Sequence, residues 1–162
     1  MLLKSFGVIL LLSASLYLCF AFATFERRRM MQCEGFLQLM RHIKAQITCF
    51  RMPLSRIWTS FSSDELERCG FLSALRECQD VEKALMLSKE NIWISADELH
   101  LLRSFSGELG RSYADEQIAC CEYYIEELER MCAERKNAGP MRTKLYRSLF
   151  LVGGMMLVII LI

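Results

Sequence analysis

The chain has little of what most folds use to turn. Only 8 Gly and 2 Pro occur in 162 residues, and the prolines, Pro53 and Pro140, stand far apart. That excludes collagen-like, low-complexity and turn-rich all-β chains. No stretch sustains period-2 alternation, so no strand is expected. Charge of one sign is missing too: Lys and Arg number 20, Asp and Glu 19, and a net charge of +1 offers nucleic acid no electrostatic footprint. Histidine is scarce, with His42 and His100 on different segments and neither with a partner at i+4. GxGxxG, the P-loop, HExxH and GxSxG are all absent. Eight Cys occur without a CxxC and at irregular spacings, which argues against a disulfide miniprotein. A zinc site could draw only on Cys120, Cys121, Cys132 and His100. Adjacent cysteines on a helix point about 100° apart, which suits packing better than chelation. No cofactor, metal, catalytic residue or small-molecule substrate is expected, and so no enzyme.

Apolar residues are abundant, at 53% of the chain with a mean hydropathy of +0.22, and they gather at the ends. Residues 5–25 carry no charge. As a helix they would measure about 31 Å, matching a bilayer core of roughly 30 Å. Residues 148–162 form a second uncharged run. Alone it reaches about 22 Å, and with Leu145, Tyr146 and a snorkelling Arg147 about 27 Å. The expected organisation is a transmembrane anchor over 1–26, a soluble domain over 27–141 and a short C-terminal transmembrane segment over 142–162. Gly153 and Gly154 would let another membrane helix approach the second span closely. Arg27, Arg28 and Arg29 follow the first span, and Arg142, Lys144 and Arg147 precede the second, with only Lys4 on the far side. Positive flanks put the central domain in the cytoplasm, where its cysteines are expected to be reduced. Two alternatives stay open. Lys4, an apolar stretch and Ala21-Phe22-Ala23 also fit a cleaved signal peptide. The second run also fits a buried core helix or a half-inserted tail.

The middle reads as helices. Cys33, Phe36, Met40, Ile43, Ile47 and Phe50 recur at helical intervals, so the first membrane helix continues to about Thr48. Met52-Pro53-Leu54 starts a second helix ending near Phe61. Ser62-Ser63-Asp64 caps a third, with Leu66, Phe71, Leu75 and Cys78 inward. Asp80 caps a fourth carrying Val81, Leu85 and Ile92. Ser95-Ala96-Asp97-Glu98 is a capping box opening a fifth, with Leu99, Leu102, Phe105 and Leu109 inward. Gly110 ends it in a left-handed conformation. Ser112 or Asp115 opens a sixth with Ile118, Cys121, Ile125, Leu128 and Cys132 on one stripe. Asn137-Ala138-Gly139-Pro140 is expected to break or kink it. The fold class is therefore all-α, a membrane-anchored bundle of five or six helices.

Two surfaces are candidates for contact with a partner. One is the corner at Leu109, Gly110 and Arg111, with Gln117 one turn into the next helix. The other is the acidic face of Glu122, Glu126 and Glu129, joined by Glu127, which would suit a basic partner. Turn geometry and ordinary pairing with Arg130 are the plainer accounts of each.

The whole chain resembles the stage III sporulation protein AB family of endospore-forming Firmicutes. The likeness lies in the N-terminal apolar segment with its basic flank and in residues 37–46 leading to Pro53-Leu54. It continues in Phe105-x-x-x-Leu109-Gly110 with Gln117, and in Leu145-Tyr146-Arg147-Ser148-Leu149 before a short Gly-containing span. That family is in turn similar to the cytoplasmic domain of type II secretion and type IV pilus inner-membrane platform proteins. The resemblance implies a non-enzymatic scaffold of the channel complex between mother cell and forespore. It would sit in the cell membrane on the mother-cell side and dock the complex's own ATPase, stage III sporulation protein AA, alongside other stage III proteins. Ser112-Tyr113-Ala114-Asp115 departs from the family's early Asp, and Gly139-Pro140 from its continuous last helix. An autonomous small membrane adaptor or regulator is the alternative.

Overall fold

A computed structural model describes residues 2–50, 54–111 and 113–161. Among them the chain forms seven α-helices, one 3-10 turn and no strand. The helices are α1 (Leu2–Phe50), α2 (Leu54–Ser60), α3 (Asp64–Arg68), α4 (Phe71–Cys78), α5 (Val81–Leu87), α6 (Ala96–Glu108) and α7 (Ala114–Leu161), with the 3-10 turn at Lys89–Asn91. The all-α expectation holds. Pro53 and Ser112, expected at helix starts, lie outside the described residues.

The chain divides into two compact units, Arg28–Glu134 and the pair Met1–Arg27 with Arg135–Ile162. In the larger unit, α1 and α7 supply the long wall of the core. Cys33, Phe36, Met40 and Ile43 from α1 and Cys121, Ile125, Leu128 and Cys132 from α7 are buried. The two helices run antiparallel, as three cross-links show: the Cys33–Cys132 disulfide, Lys44 to Glu122 at 2.7 Å and Arg41 to Glu129 at 2.6 Å. The short helices α2 to α6 fold over this wall and bury Ile57, Trp58, Leu66, Leu72, Leu75 and Leu85. Phe36 meets Phe71 edge to face, centroids 4.9 Å apart, and Phe105 meets Tyr124 in the same way at 5.6 Å. Each such aromatic pair adds roughly 0.5–1.5 kcal/mol beyond its burial.

Local signals act as read in α5 and α6. Asp80 accepts from the Glu82 and Lys83 backbone N–H groups, a cap contributing about 1 kcal/mol. Ser95 and Glu98 close a full capping box. Three expectations need correction. The single helix expected after Ser62 is two, α3 and α4, because Gly70 takes φ +79° between them; Ser63 stands at the α3 N-cap without a side-chain hydrogen bond. The break expected at Asn137-Ala138-Gly139-Pro140 is absent, and α7 runs through it. One proline removes a single N–H, and long helical flanks on both sides hold the helix together. The cysteines are not all free, since Cys33 and Cys132 are paired across 99 residues. Irregular spacing in the sequence could not show that two apolar stripes bring these positions face to face.

In the smaller unit the two helical segments also lie antiparallel. The Ser15 hydroxyl donates to the Phe150 carbonyl at 2.7 Å, and the Phe22 and Tyr146 rings meet at a tilt with centroids 4.4 Å apart. Gly154 is buried, and a Cβ there would stand 3.0 Å from Ser15 Oγ; Gly153 is exposed in open space. Among the described residues, no helix is long and apolar enough to cross a membrane. The transmembrane spans expected over 5–25 and 148–162 are thus not seen as such. The side chains of several of their residues, 157–161 included, lie outside the described ones.

The disulfide can be checked directly. After alkylation under denaturing, non-reducing conditions, mass spectrometry of a tryptic digest is expected to find the Cys33 and Cys132 peptides linked. Both peptides alkylated would remove the bond from the fold.

Candidate functional site

The corner between α6 and α7 is built by backbone need. The Leu109 N–H still reaches the Phe105 carbonyl at 3.0 Å, completing α6. Gly110 then turns with φ +80°, a conformation that costs a β-branched residue dearly. Its N–H is left without a helical acceptor, and Gln117 supplies one: Oε1 accepts from it at 2.7 Å. Gln117 is only 4% exposed. The turn thus closes on a side chain one turn into α7. A Cβ on Gly110 would also come within 3.2 Å of Leu54 Cδ1.

Beside this corner opens a cavity of about 310 Å3, lined by Leu54, Trp58, Gln79, Asp80, Leu109 and Arg111 among others. Trp58 is 2% exposed, and its indole Nε1 finds no acceptor among the described residues. Gln79 adopts φ +53°, the one non-glycine described with positive φ, and so turns the chain between α4 and α5 at the cavity rim. Arg111 is exposed. The cavity thus joins apolar side chains, Leu54, Trp58 and Leu109, to a mostly polar and charged rim of Gln79, Asp80, Glu82 and Arg111.

The sequence-derived contact residues divide. Leu109, Gly110 and Arg111 meet at the corner, whereas Gln117 lies inside, bracing it. On the acidic face, Glu122 is tied to Lys44 and Glu129 to Arg41, and Glu127 pairs with Arg130. Glu126 is exposed. Most of that face is therefore engaged within the chain. Trp58, Gln79 and Asp80 join the site from segments that sequence spacing could not bring together. The signal available for Trp58 was only a large aromatic in a short helix.

The cysteines near the corner are quiet. The Glu108 carboxylate accepts from the Cys120 thiol at 3.2 Å and from the Tyr124 hydroxyl at 3.1 Å. Burial, then Glu108, pushes both groups up to about 12. Burial also raises Cys121, partly offset by the Gln117 amide. A thiol held protonated is a poor nucleophile and a poor metal ligand. Among the described residues, no group of three or more His, Cys, Asp or Glu could hold a metal ion.

Comparison with known proteins gives one family. The model for stage III sporulation protein AB matches residues 4–162. Neither the curated proteins nor the solved structures yield a match.

Two outcomes follow from this geometry. Gly110→Val is expected to lose roughly 1–3 kcal/mol in thermal or urea unfolding, with Gly110→Asn milder. Gln117→Ala should lose a similar 1–3 kcal/mol by stranding the Gly110 N–H; a neutral Gln117→Ala would show that the corner does not depend on it. Separately, Cys120 and Tyr124 are harder to ionise folded than unfolded, so the fold binds more protons in alkali. That stability is fully present below pH about 9 and is lost towards pH about 12. A Tyr124→Phe, Cys120→Ser chain should show a flatter melting profile over that range.

Proposed function

Since the chain belongs to the stage III sporulation protein AB family, we propose that it is a non-enzymatic membrane scaffold of the sporulation channel complex, docking that complex's ATPase through the α6–α7 corner. The family match itself carries the sporulation role. The single observation that favours the corner is its cavity, walled by Trp58 and Leu109 with the exposed Arg111 at the lip. Partner surfaces concentrate affinity in aromatic and Arg anchors at pockets. The acidic face is the weaker candidate, because its carboxylates are already paired with α1.

Membrane attachment rests on the paired end segments. Tyr17 is 73% exposed, Phe20 66%, Leu149 63% and Met156 65%. An apolar surface on that scale calls for lipid or another apolar partner. In this reading 1–26 and 142–162 anchor the chain, and 27–141 faces the cytoplasm of the mother cell. A reducing cytoplasm would act on the disulfide, but Cys33 and Cys132 are 1% and 5% exposed. Thiol exchange needs access, so it must wait for α1 and α7 to part.

Arg111→Ala tests the docking. It should shift unfolding by no more than about 0.5 kcal/mol and weaken association with the ATPase by more than about 1 kcal/mol. A photocross-linker at position 111 in sporulating cells should capture the ATPase, and one at Glu126 should not. Unchanged association in Arg111→Ala together with capture only from Glu126 would move docking to the acidic face.

A further inference from the structure

A second cavity lies at the start of the larger unit. It holds about 160 Å3 and is lined by Arg28, Gln32, Glu65, Arg68, Asn91 and Trp93, with Cys69 also on its wall. One side is fixed by Gln32, which is 4% exposed. Its Nε2 donates to the Asn91 carbonyl at 2.9 Å, and its Oε1 accepts from the Trp93 N–H at 2.7 Å. Gln32 thus holds the loop after the 3-10 turn against α1 and leaves the charged groups to meet a ligand.

Those groups favour an anion. The Arg28 guanidinium carbon stands 5.4 Å from the Trp93 ring centroid. A ring face attracts a cation without neutralising it, and among the described residues no carboxylate pairs with Arg28. Arg68 pairs with Glu65 at 3.1 Å, but 70% of the Arg68 side chain is exposed, and exposed pairs of this kind are weak. Two guanidiniums against one carboxylate leave the cavity positive.

We propose that this cavity binds the phosphate of an anionic phospholipid headgroup. The proposal rests on the membrane reading above. Arg28 follows Phe25, the last residue of the uncharged run, by three positions, about 4.5 Å along a helix. That brings its guanidinium to the depth of headgroups if residues 5–25 span. Trp93 is the kind of amphipathic ring that settles at such a boundary. Arg27 and Arg29 flank the site in sequence, and juxtamembrane basic clusters draw anionic lipid. A free phosphate ion would use the same guanidiniums but gain nothing from the neighbouring apolar run.

The full chain, reconstituted into nanodiscs of equal phosphatidylcholine and phosphatidylglycerol and then released, is read by native mass spectrometry for retained lipid. Phosphatidylglycerol is expected to be enriched, by roughly fivefold per guanidinium, the equivalent of about 1 kcal/mol per basic residue at an anionic surface. Arg28→Gln with Arg68→Gln should abolish the enrichment, Arg28→Lys with Arg68→Lys should keep most of it, and Arg56→Gln, at an exposed position of α2, should leave it intact. Helical circular dichroism of each variant guards against misfolding. Failure of the native chain to float with pure phosphatidylcholine vesicles would overturn the membrane reading. Flotation without enrichment, or enrichment that survives the double Gln variant, would overturn the cavity. Inorganic phosphate that abolishes the enrichment at millimolar concentration would reduce it to an ion site and overturn the lipid proposal.

Discussion

The bundle depends on α1 lying against α7. Helices α2 to α5 are each 5 to 8 residues long, and helices shorter than about 12–15 residues are marginal in water by themselves. They persist because the two long stripes give them a hydrophobic wall. Phe36 faces Phe71 on one side of that wall, and Tyr124 faces Phe105 on the other. The ion pairs Lys44–Glu122 and Arg41–Glu129 border the seam and set its register more than its strength, since exposed pairs contribute little. Without the wall, the capping of α5 and α6 would have nothing to cap.

A chain poor in Gly and Pro has few tight turns in which the backbone satisfies itself. Three buried polar side chains meet that need. Gln32 accepts from the Trp93 N–H, Glu98 from the Ser95 N–H and Gln117 from the Gly110 N–H. Each is at most 4% exposed, and each joins a loop to a helix. The two cavities lie next to two of these joints, at Gln32 and at the corner Gln117 braces. Loops tied by buried hydrogen bonds beside an open pocket suit recognition, because less order is lost when a partner arrives. The proposed docking corner and the proposed headgroup cavity therefore share one structural device.

Much of this architecture was legible in the sequence. The stripes Cys33–Phe36–Met40–Ile43 and Cys121–Ile125–Leu128–Cys132, the Asp80 cap, the Ser95–Glu98 box and the left-handed Gly110 all follow from local chemistry, and local chemistry is what a sequence shows. Gly70 was passed over because Leu66, Phe71, Leu75 and Cys78 read as one inward face, and only the folded φ reveals the break. Gln117, named from the sequence as a contact candidate, is buried, and its partner is a backbone N–H seven residues earlier. The disulfide, the Trp58 cavity and the Gln32 bridge join residues far apart in the chain, and no periodicity encodes such meetings. Two candidate surfaces could be named from the sequence, but the ion pairs that occupy the acidic face needed the α1–α7 register.

The end-to-end pairing also has a consequence in time. The α1 stripe leaves the ribosome first, and its partner positions follow up to 99 residues later. At about 5–20 residues per second, the part of the α1 face that α7 covers waits on the order of ten seconds for its partner. Helices α2 to α5 contact one another locally and can assemble within that delay, but the seam closes only when α7 emerges. The nascent chain therefore passes through an interval in which the core residues of α1 to α6 await those of α7. Early seating of the N-terminal run in a bilayer would tether that exposed face and shield it from other nascent chains.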